Sequence, residues 1–335
     1  MKSVIKIIGF SILLFNIYTP SKAQNYRQER TIGFQAGIAN YFGDLNPLAQ
    51  YVSTEIRFTR PSFGLNFTNT IGSTRRVNLR LGLVWARLQG DDFTAANPND
   101  DQHRYRYIRN SHFRNDVYEF SLSFSYIVHE FKLKNASILH PYIMIGGGVF
   151  YHNPKARTPT EFGQEWVELQ PLGTEGQGRE GYDKKYSKWQ VAIPFGIGAQ
   201  YRLHKNSRWV FSFEMGMRYT FTDYIDDVSK SYADPNDLDD LTRAMANRTM
   251  EVNEALNGNS RVGERDRLLS IVGQTSYITR DGRVEPTFAG FGQKGDQRGN
   301  PLPDVYLFTA FHINYILNPK PLCPMPGMMR KGYRF

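Results

Sequence analysis

The sequence predicts an all-β protein, an eight-stranded antiparallel transmembrane β-barrel with long extracellular loops and short periplasmic turns. Three observations predict it: eight segments alternate apolar and polar residues, one face of nearly every segment is bulky, and long and short connections alternate along the chain. A period of two is the pattern of a strand, because successive side chains point to opposite faces. About nine to eleven tilted residues of such a strand cross a bilayer.

Residues 1–23 have the pattern of a secretory signal peptide. Lys2 and Lys6 precede an apolar core, and the small residues Ser21 and Ala23 form a cleavage pattern. A membrane anchor is the alternative, but the apolar stretch is short for a spanning helix. An exported chain is therefore expected. Its net charge of +9 then favours lipid headgroups or acidic proteins, rather than nucleic acid, as partners.

The first four strands are predicted at 32–38, 62–69, 77–86 and 118–126. Each sets apolar side chains at every second position against Gly, Ser, Ala or polar residues. Their apolar positions are, strand by strand, Ile32, Phe34, Ala36 and Ile38; Phe63, Leu65 and Phe67; Val77, Leu79, Leu81, Leu83 and Trp85; and Tyr118, Phe120, Leu122, Phe124 and Tyr126.

The last four strands are predicted at 141–151, 189–202, 209–223 and 304–317, and the third of these alternates most regularly. Their apolar positions are Ile143, Ile145, Val149 and Tyr151; Trp189, Val191, Ile193, Phe195, Ile197, Ala199 and Tyr201; Trp209, Phe211, Phe213, Met215, Met217, Tyr219 and Phe221; and Val305, Leu307, Thr309, Phe311, Ile313 and Tyr315.

Side-chain size decides which face of these strands points outward. Alternation alone also fits a secreted, lipocalin-like barrel with an apolar lumen. An eight-stranded barrel, however, has an interior just wide enough for mixed small and large side chains. The bulky face would overfill that interior but suits lipid, and aromatic residues near the strand ends resemble interfacial girdles. The mean hydropathy of −0.50 is compatible with this interpretation, because only alternate wall residues meet lipid.

The connections give an independent signal. Short links are predicted near 71–76, 129–139 and 204–208, and long loops at 41–60, 88–115, 152–187 and 223–303. Outer-membrane barrels have short periplasmic turns and longer outward loops. We therefore predict a barrel over 24–317 with both termini in the periplasm. In the last loop, Asp237 is predicted to cap a helix that ends near Gly258.

The chain after the last strand, 318–335, is rich in Pro, Gly and basic residues and is predicted to be a flexible or partner-ordered periplasmic tail. Its cations Lys320, Arg330, Lys331 and Arg334 form a candidate surface for an acidic partner. Cys323 is the only cysteine, so it is either a free thiol or an intermolecular link.

Five charged residues fall on the lumen face of the predicted wall, where a charge needs partners. They are Arg80, Glu119, Arg202, Glu214 and Arg218. We expect them to form an ion-pair plug rather than a catalytic site.

Catalytic and metal-binding patterns are weak. The acidic run from Asp223 to Asp240 lacks the Gly and closing Glu of a calcium loop. Gly146, Gly147 and Gly148 lack the following Lys-Ser/Thr of a phosphate loop. The seven histidines are scattered, and His152 at a strand end is the best candidate for an enzyme at the barrel rim. No catalytic residue, metal, cofactor or small-molecule substrate is predicted.

Several motifs resemble the PorG-type outer-membrane barrels of the Bacteroidetes type IX secretion system. The most specific is the run of residues 218–229, RYTFTDYIDDVS. The residues that carry the resemblance include Tyr41, Gly43 and Asp44; His152, Asn153 and Pro154; Gln170, Pro171 and Gly173; Asp223, Tyr224, Asp226 and Asp227; and the run 297–301.

The resemblance implies a non-enzymatic component of a protein-secretion machine, associated with a periplasmic ring formed by a lipoprotein and its partner. An outer-membrane lipid-modifying enzyme and a general structural barrel are the alternatives. The region 234–294 matches the resemblance least, so the resemblance implies no role for it.

Overall fold

The computed structural model describes residues 29–46, 56–72, 74–101, 103–204 and 206–317. The predicted signal peptide, Cys323 and the basic tail at 318–335 lie outside these residues. In the described part of the chain, no helix has the length and apolarity needed to cross a membrane.

Within the described residues, eight long strands form the wall, and five further strands are short. The wall strands are β1 (Arg30–Phe42), β2 (Arg60–Ile71), β3 (Val77–Asp91), β4 (His112–Ile127), β6 (Ile138–Tyr151), β9 (Trp189–Arg202), β10 (Trp209–Thr220) and β13 (Val305–Ile316). The short strands are β5 (Phe131–Lys132), β7 (Pro154–Arg157), β8 (Trp166–Glu168), β11 (Gln274–Ile278) and β12 (Val284–Phe288).

The wall is closed. Each wall strand pairs antiparallel with its neighbour in the order β1, β2, β3, β4, β6, β9, β10 and β13, and β13 pairs back with β1. Closure pairs the backbone N–H and C=O groups that an open edge would leave without hydrogen-bond partners. The predicted eight-stranded antiparallel barrel is confirmed.

The bulky faces point outward. Phe311 is 66% exposed, whereas the next residue, His312, is 3% exposed. The same alternation runs along β4, where Tyr118 and Phe120 are exposed and Glu119 is buried. Over the lower part of the barrel, the inward face is mainly polar, charged or small, and the bulky face is exposed. This arrangement excludes the lipocalin-like alternative, in which the bulky face would line the lumen.

Aromatic residues form a cross-strand row near one end of the outward face. Trp85 is the register partner of Tyr118, Tyr118 of Tyr151, and Tyr151 of Trp189. We call these four residues the aromatic row. At the other end, Trp209 pairs with Tyr315, and their rings lie 5.1 Å apart. Tyr118 and Tyr126 are eight residues apart, or about 27 Å along a strand. With a tilt of 35–45°, this corresponds to about 19–22 Å along the membrane normal, somewhat less than the roughly 25 Å apolar band of outer-membrane barrels.

The long connections all leave the wall at one end and fold into a compact layer, which we call the cap (residues 43–46, 92–111, 152–188 and 221–304). Five helices belong to it: α1 (Asp92–Ala95), α2 (Arg104–Arg109), α3 (Leu169–Leu172), α4 (Asp240–Ala246) and α5 (Val262–Val272). The strands β11 and β12 pair as a separate hairpin. Tyr107, Ile108, Leu268, Phe288 and Phe291 form an apolar core within the cap.

The predicted helix boundaries in the last loop were wrong. Asp237 ends a 3₁₀ turn, and its carboxylate accepts a hydrogen bond from the Tyr182 hydroxyl at 2.8 Å. Asp239 caps α4 instead, because its carboxylate accepts the Thr242 backbone N–H at 2.9 Å. The helix stops at Ala246, well before Gly258.

Candidate functional site

The centre of the lumen holds a buried ion pair. Arg80 Nη1 donates to Glu214 Oε2 at 2.5 Å, and the Tyr142 hydroxyl donates to the same oxygen at 2.7 Å. These residues come from β3, β10 and β6, and all three are buried. The contacts join separate parts of the wall across the barrel interior.

A second pair lies closer to the cap. Arg218 Nε lies 3.4 Å from Glu119 Oε2, and the Tyr306 hydroxyl donates to that oxygen at 2.8 Å. The Arg218 guanidinium carbon lies 4.3 Å from the centre of the Phe308 ring, in cation–π range. The two pairs thus occupy successive levels of the lumen.

Arg202 does not join these pairs. It forms an ion pair with Glu29 at the terminus end of the barrel. There it lines a mouth of about 610 Å³ with Arg75, Arg76 and His140. The structure therefore brings together four of the five lumen charges named from the sequence. The sequence analysis did not identify the hydroxyls of Tyr142 and Tyr306, although both residues fall on the inward phase of their strands.

Above the ion pairs, an apolar layer fills the barrel. It is built largely from aromatic and aliphatic residues of the inward face, together with three residues of the cap, Leu45, Ile225 and Val228. Its members include Tyr41, Val84, Leu88, Phe113, Val117, Phe150, Ile225, Val228, Tyr306 and Phe308. The interior thus passes from ion pairs to packed rings as it approaches the cap.

Motif segments that are distant in sequence converge where the barrel meets the cap. The Tyr41 hydroxyl lies 2.6 Å from Asp226 Oδ2 and 2.7 Å from Asp304 Oδ1. All three residues are buried. The second oxygen of Asp304 accepts the Ile225 backbone N–H at 2.8 Å. We call Tyr41, Asp226 and Asp304 the carboxyl cluster.

The carboxyl cluster requires one proton in addition to the proton of the tyrosine hydroxyl. A tyrosine hydroxyl carries one hydrogen, so it can donate to only one of the two carboxyl oxygens. The other short contact is made by a protonated carboxyl group that donates to the hydroxyl oxygen. Burial and the neighbouring negative charges raise the pKa of Asp226 and of Asp304 well above the usual range. One proton thus holds two acidic side chains together in a buried site.

A second group of contacts surrounds Arg298, in the segment before β13. Arg298 Nη1 donates to Glu175 Oε1 at 3.1 Å and to the Asp227 backbone carbonyl at 2.6 Å. Asp227 also accepts hydrogen bonds from the Thr174 and Tyr186 hydroxyls at 2.5 and 2.7 Å. Burial raises the pKa of Asp227 to about 6, while Arg298 acts in the opposite direction. This group ties three cap segments to one another.

Arg109 of α2 links the first loop to the last. Its Nη1 donates to the Arg298 carbonyl at 2.6 Å and its Nη2 to the Asp44 carbonyl at 3.1 Å. The guanidinium also forms two 2.8 Å hydrogen bonds to Asp92. The Asp44 carboxylate in turn accepts the Asn300 backbone N–H at 3.0 Å. Burial raises the pKa of Asp44 to about 6, against the effect of Arg109.

Two glycines of the motifs are required by close contacts. A Cβ on Gly43 would lie 1.9 Å from the Tyr41 hydroxyl oxygen and 2.0 Å from Asp304 Oδ1. A Cβ on Gly299 would lie 2.4 Å from Asp44 Oδ2 and 2.8 Å from the Ser229 backbone. Both short motifs thus contain a glycine because the backbone passes directly against the buried acids.

The 152–178 motifs surround Tyr186. The His152 and Tyr224 rings both stack on the Tyr186 ring, with centroids 5.8 and 4.7 Å away. Gln170 Nε2 donates to the Tyr186 carbonyl at 3.0 Å. The motif residue Gly173 has a φ of +66°, which favours glycine.

The neighbouring motif residues make backbone contacts. The Asn153 backbone N–H donates to Asn115 Oδ1 at 2.8 Å, and Pro154 begins β7 opposite Asn115. The Pro171 carbonyl accepts a hydrogen bond from Lys185 Nζ at 2.5 Å. These residues therefore shape the third long loop around the barrel end.

His152 has the surroundings of a structural residue. Its Nε2 contacts the Ser187 carbonyl at 3.2 Å, and its Nδ1 lies 3.5 Å from the Asn115 amide nitrogen. Burial lowers its pKa to about 4. None of these contacts is with a hydroxyl or carboxylate that could act with His152 as a nucleophile or as an acid–base partner.

The acidic run does not converge on one point. Asp226 and Asp227 belong to the two buried groups, and Asp239 caps α4. Asp223 is half-buried, and burial raises its pKa to about 8. Over the described ranges, no set of three His, Cys, Asp or Glu side chains is arranged to hold a metal ion.

Comparison with known proteins adds three findings. Residues 9–161 match the family model described as a domain of unknown function (DUF6089), which is less than half of the chain. No curated protein sequence matches the chain. The chain is also similar to solved structures of other proteins.

Three of these structures illustrate the similarity. Neisserial surface protein A is 8% identical with a TM-score of 0.35, covering 85% of this chain and 96% of that chain. A major outer membrane protein from Thermus thermophilus is 10% identical with a TM-score of 0.30, covering 86% and 99%. The N-terminal β-barrel domain of Pseudomonas aeruginosa OprF is 9% identical with a TM-score of 0.28, covering 86% and 100%. With similarity this low, the strand pairing itself establishes the fold.

Proposed function

We propose that this protein is a non-enzymatic outer-membrane barrel that anchors or scaffolds the periplasmic ring of a type IX protein-secretion machine. The outward apolar band and its aromatic residues support placement in a membrane. The sequence pattern of a signal peptide supports export. The sorting of long connections to one end supports an outward cap and periplasmic termini.

The observation that carries the scaffold role is the filling of the barrel. Two ion pairs, an apolar layer and the carboxyl cluster succeed one another along the interior. A barrel filled in this way acts through its surfaces rather than through a channel. The type IX assignment is supported by the motifs, since the segments that carry the resemblance meet in one buried junction between barrel and cap.

A gene deletion tests the type IX assignment. Loss of secretion of type IX cargo, restored by the full-length gene, is the expected result. Normal cargo secretion combined with a general envelope defect would instead indicate a structural barrel. Co-purification of the ring lipoprotein and its partner with the tagged barrel provides a second measurement.

The basic tail provides the proposed contact with the ring. Lys320, Arg330, Lys331 and Arg334 would meet an acidic partner surface, with an affinity that falls as salt is raised. Deletion of 319–335 should abolish recovery of the ring proteins in a pull-down while the barrel still folds. Undiminished recovery of the ring proteins would contradict this contact.

A further inference from the structure

A basic surface lies on the outward face of the barrel, just beyond the aromatic row. It comprises Arg87 on β3, Arg114 on β4, Lys155 and Arg157 on β7, and Lys188 directly before β9. Register keeps these residues adjacent, because Arg114 is paired with Lys155 across β4 and β7. We call these five residues the basic surface.

The basic surface sits at the height of lipid headgroups. Arg87 lies two residues beyond Trp85, and Arg114 lies four beyond Tyr118. At about 3.3 Å per residue, these offsets are roughly 7 and 13 Å along the strands before tilt is subtracted. The headgroup zone on each side of the hydrocarbon is about 5–8 Å thick. The lower cations thus lie within that zone, and the upper ones lie just above it.

Two carboxylates only partly neutralise the basic surface. Asp116 binds Arg87 through two hydrogen bonds of 2.7 and 3.0 Å. Glu168 lies between Lys188 and Lys155, with its oxygens 2.8 and 3.6 Å from their Nζ atoms. Five cations thus face two anions, which leaves an excess of positive charge.

Arg114 and Arg157 hold the unneutralised charge. Their guanidinium carbons lie 4.1 and 5.9 Å from the centre of the Trp166 ring, so both lie beside one indole. Arg157 donates to the Leu256 carbonyl at 3.2 Å. In the part of the chain that the structure describes, neither guanidinium forms an ion pair with a carboxylate. Both side chains are only partly buried beside the indole, so their positive charge can meet an anion.

Such an arrangement suits phosphate. Guanidinium groups bind phosphate through parallel, charge-assisted hydrogen bonds, and ammonium groups add positive charge. An anion between Arg114, Arg157 and Lys155 would offset the repulsion among these neighbouring cations. The surface is contiguous with the aromatic row, so an anion that is part of a lipid can reach it from the membrane.

We propose that the basic surface binds the phosphate groups of a phosphorylated glycolipid in the outer leaflet. The height of Arg114 and Lys155 favours a phosphorylated sugar headgroup, which extends further from the hydrocarbon than a phospholipid headgroup. The proposal rests on the outward orientation of the cap in the proposed function. It adds a lipid partner to that function.

The test uses purified full-length protein and bisphosphorylated lipid A as the probe, with binding followed by native mass spectrometry. The double substitution Arg114→Gln and Arg157→Gln should weaken binding at least about tenfold, because it removes two charge-assisted contacts. Arg280→Gln with Arg283→Gln, on the cap hairpin, is the matched control and should bind as the unmodified protein does. Arg114→Lys with Arg157→Lys keeps the charge but loses the paired hydrogen bonds of the guanidinium groups. It should therefore bind more tightly than the Gln variant and less tightly than the unmodified protein.

Two comparisons can overturn the proposal. Equal binding by the Arg114→Gln, Arg157→Gln protein and the hairpin control would show that the basic surface is not the site. Equal binding of phosphatidylglycerol, or of lipid A stripped of its phosphates, would exclude a phosphorylated glycolipid as the specific partner. Because the measurement uses purified protein, its failure leaves the secretion test unaffected, and a failed secretion test leaves the lipid result standing.

Discussion

At the scale of single residues, burial separates two ion pairs of similar chemistry. The Arg80–Glu214 pair is buried in the lumen, whereas each side chain of the Arg87–Asp116 pair on the outer wall is 33% exposed. Breaking a buried pair leaves a charge without solvent, whereas water compensates an exposed one. The two pairs therefore differ in their expected contribution to stability.

Glu214→Gln should lower the free energy of unfolding by about 3–5 kcal/mol, because Arg80 would remain buried and charged without its carboxylate. Urea unfolding in detergent, followed by the gel mobility of the folded barrel, measures the change. Asp116→Asn is the control and should cost at most about 1 kcal/mol. Replacing both partners, with Arg80→Met and Glu214→Leu, should recover most of the loss. Equal effects of Glu214→Gln and Asp116→Asn would contradict the prediction.

Strand phase was enough to place the charged residues on the lumen face, but it did not reveal their partners. Alternation along each strand assigned four charged residues to the inward face: Arg80, Glu119, Glu214 and Arg218. Partner choice depends on how far each strand is shifted along its neighbour. That shift is set by pairing around the whole barrel, so the Glu29 partner of Arg202 could not be inferred.

At the scale of elements, the carboxyl cluster makes the junction of barrel and cap sensitive to pH. Asp226 and Asp304 face Tyr41 on β1, Asp44 after β1, Asp223 after β10 and Arg109 on α2. Their raised pKa values mean that the folded junction binds more protons than the unfolded chain above about pH 4. The free energy of opening the junction therefore falls as pH rises. Asp44 and Asp227, with pKa values of about 6, add to this fall up to that pH.

Hydrogen exchange at the Ile225 amide, which donates to Asp304, measures this opening. Its protection factor should decrease from pH 5 to pH 9. Asp304→Asn should reduce the slope, because an amide can donate to the Tyr41 hydroxyl without a titrating proton. Asp281→Asn, in the exposed turn of the cap hairpin, is the control and should leave the slope unchanged. A protection factor that rises with pH would contradict the assignment.

Wall strands and cap elements differed in how well sequence reasoning predicted them. Each wall strand alternates bulky apolar residues, which face outward, with smaller or polar residues, which face the lumen. This alternation was sufficient to locate the strand. The helix α5 and the hairpin β11–β12 pack instead on irregular neighbours within the cap. Local patterns there are short, and tertiary contacts decide which acidic residue becomes the N-cap of a helix. In α4 this residue is Asp239 and not Asp237.

At the scale of the whole molecule, the motifs have a physical explanation that the sequence alone did not provide. The runs around Gly43, Asp226 and Arg298 lie far apart in the sequence, yet they form one buried junction. The sequence identified the motifs but not that they contact one another, because these contacts form only once the barrel has closed. The junction fixes the cap over the filled lumen and so makes barrel and cap a single body.

The filled interior predicts that the protein does not conduct ions. Purified protein in planar bilayers should give no stable single-channel openings, because two ion-pair levels and an apolar layer lie in series. A variant with Arg80→Ser and Glu214→Ser should also stay closed, since the Arg218–Glu119 pair and the apolar layer above it still fill the lumen. An open porin, reconstituted in parallel, controls for insertion. Discrete conductance steps in the unmodified protein would contradict the closed lumen and with it the scaffold role. Steps in the Ser variant alone would instead locate the barrier in the Arg80–Glu214 pair.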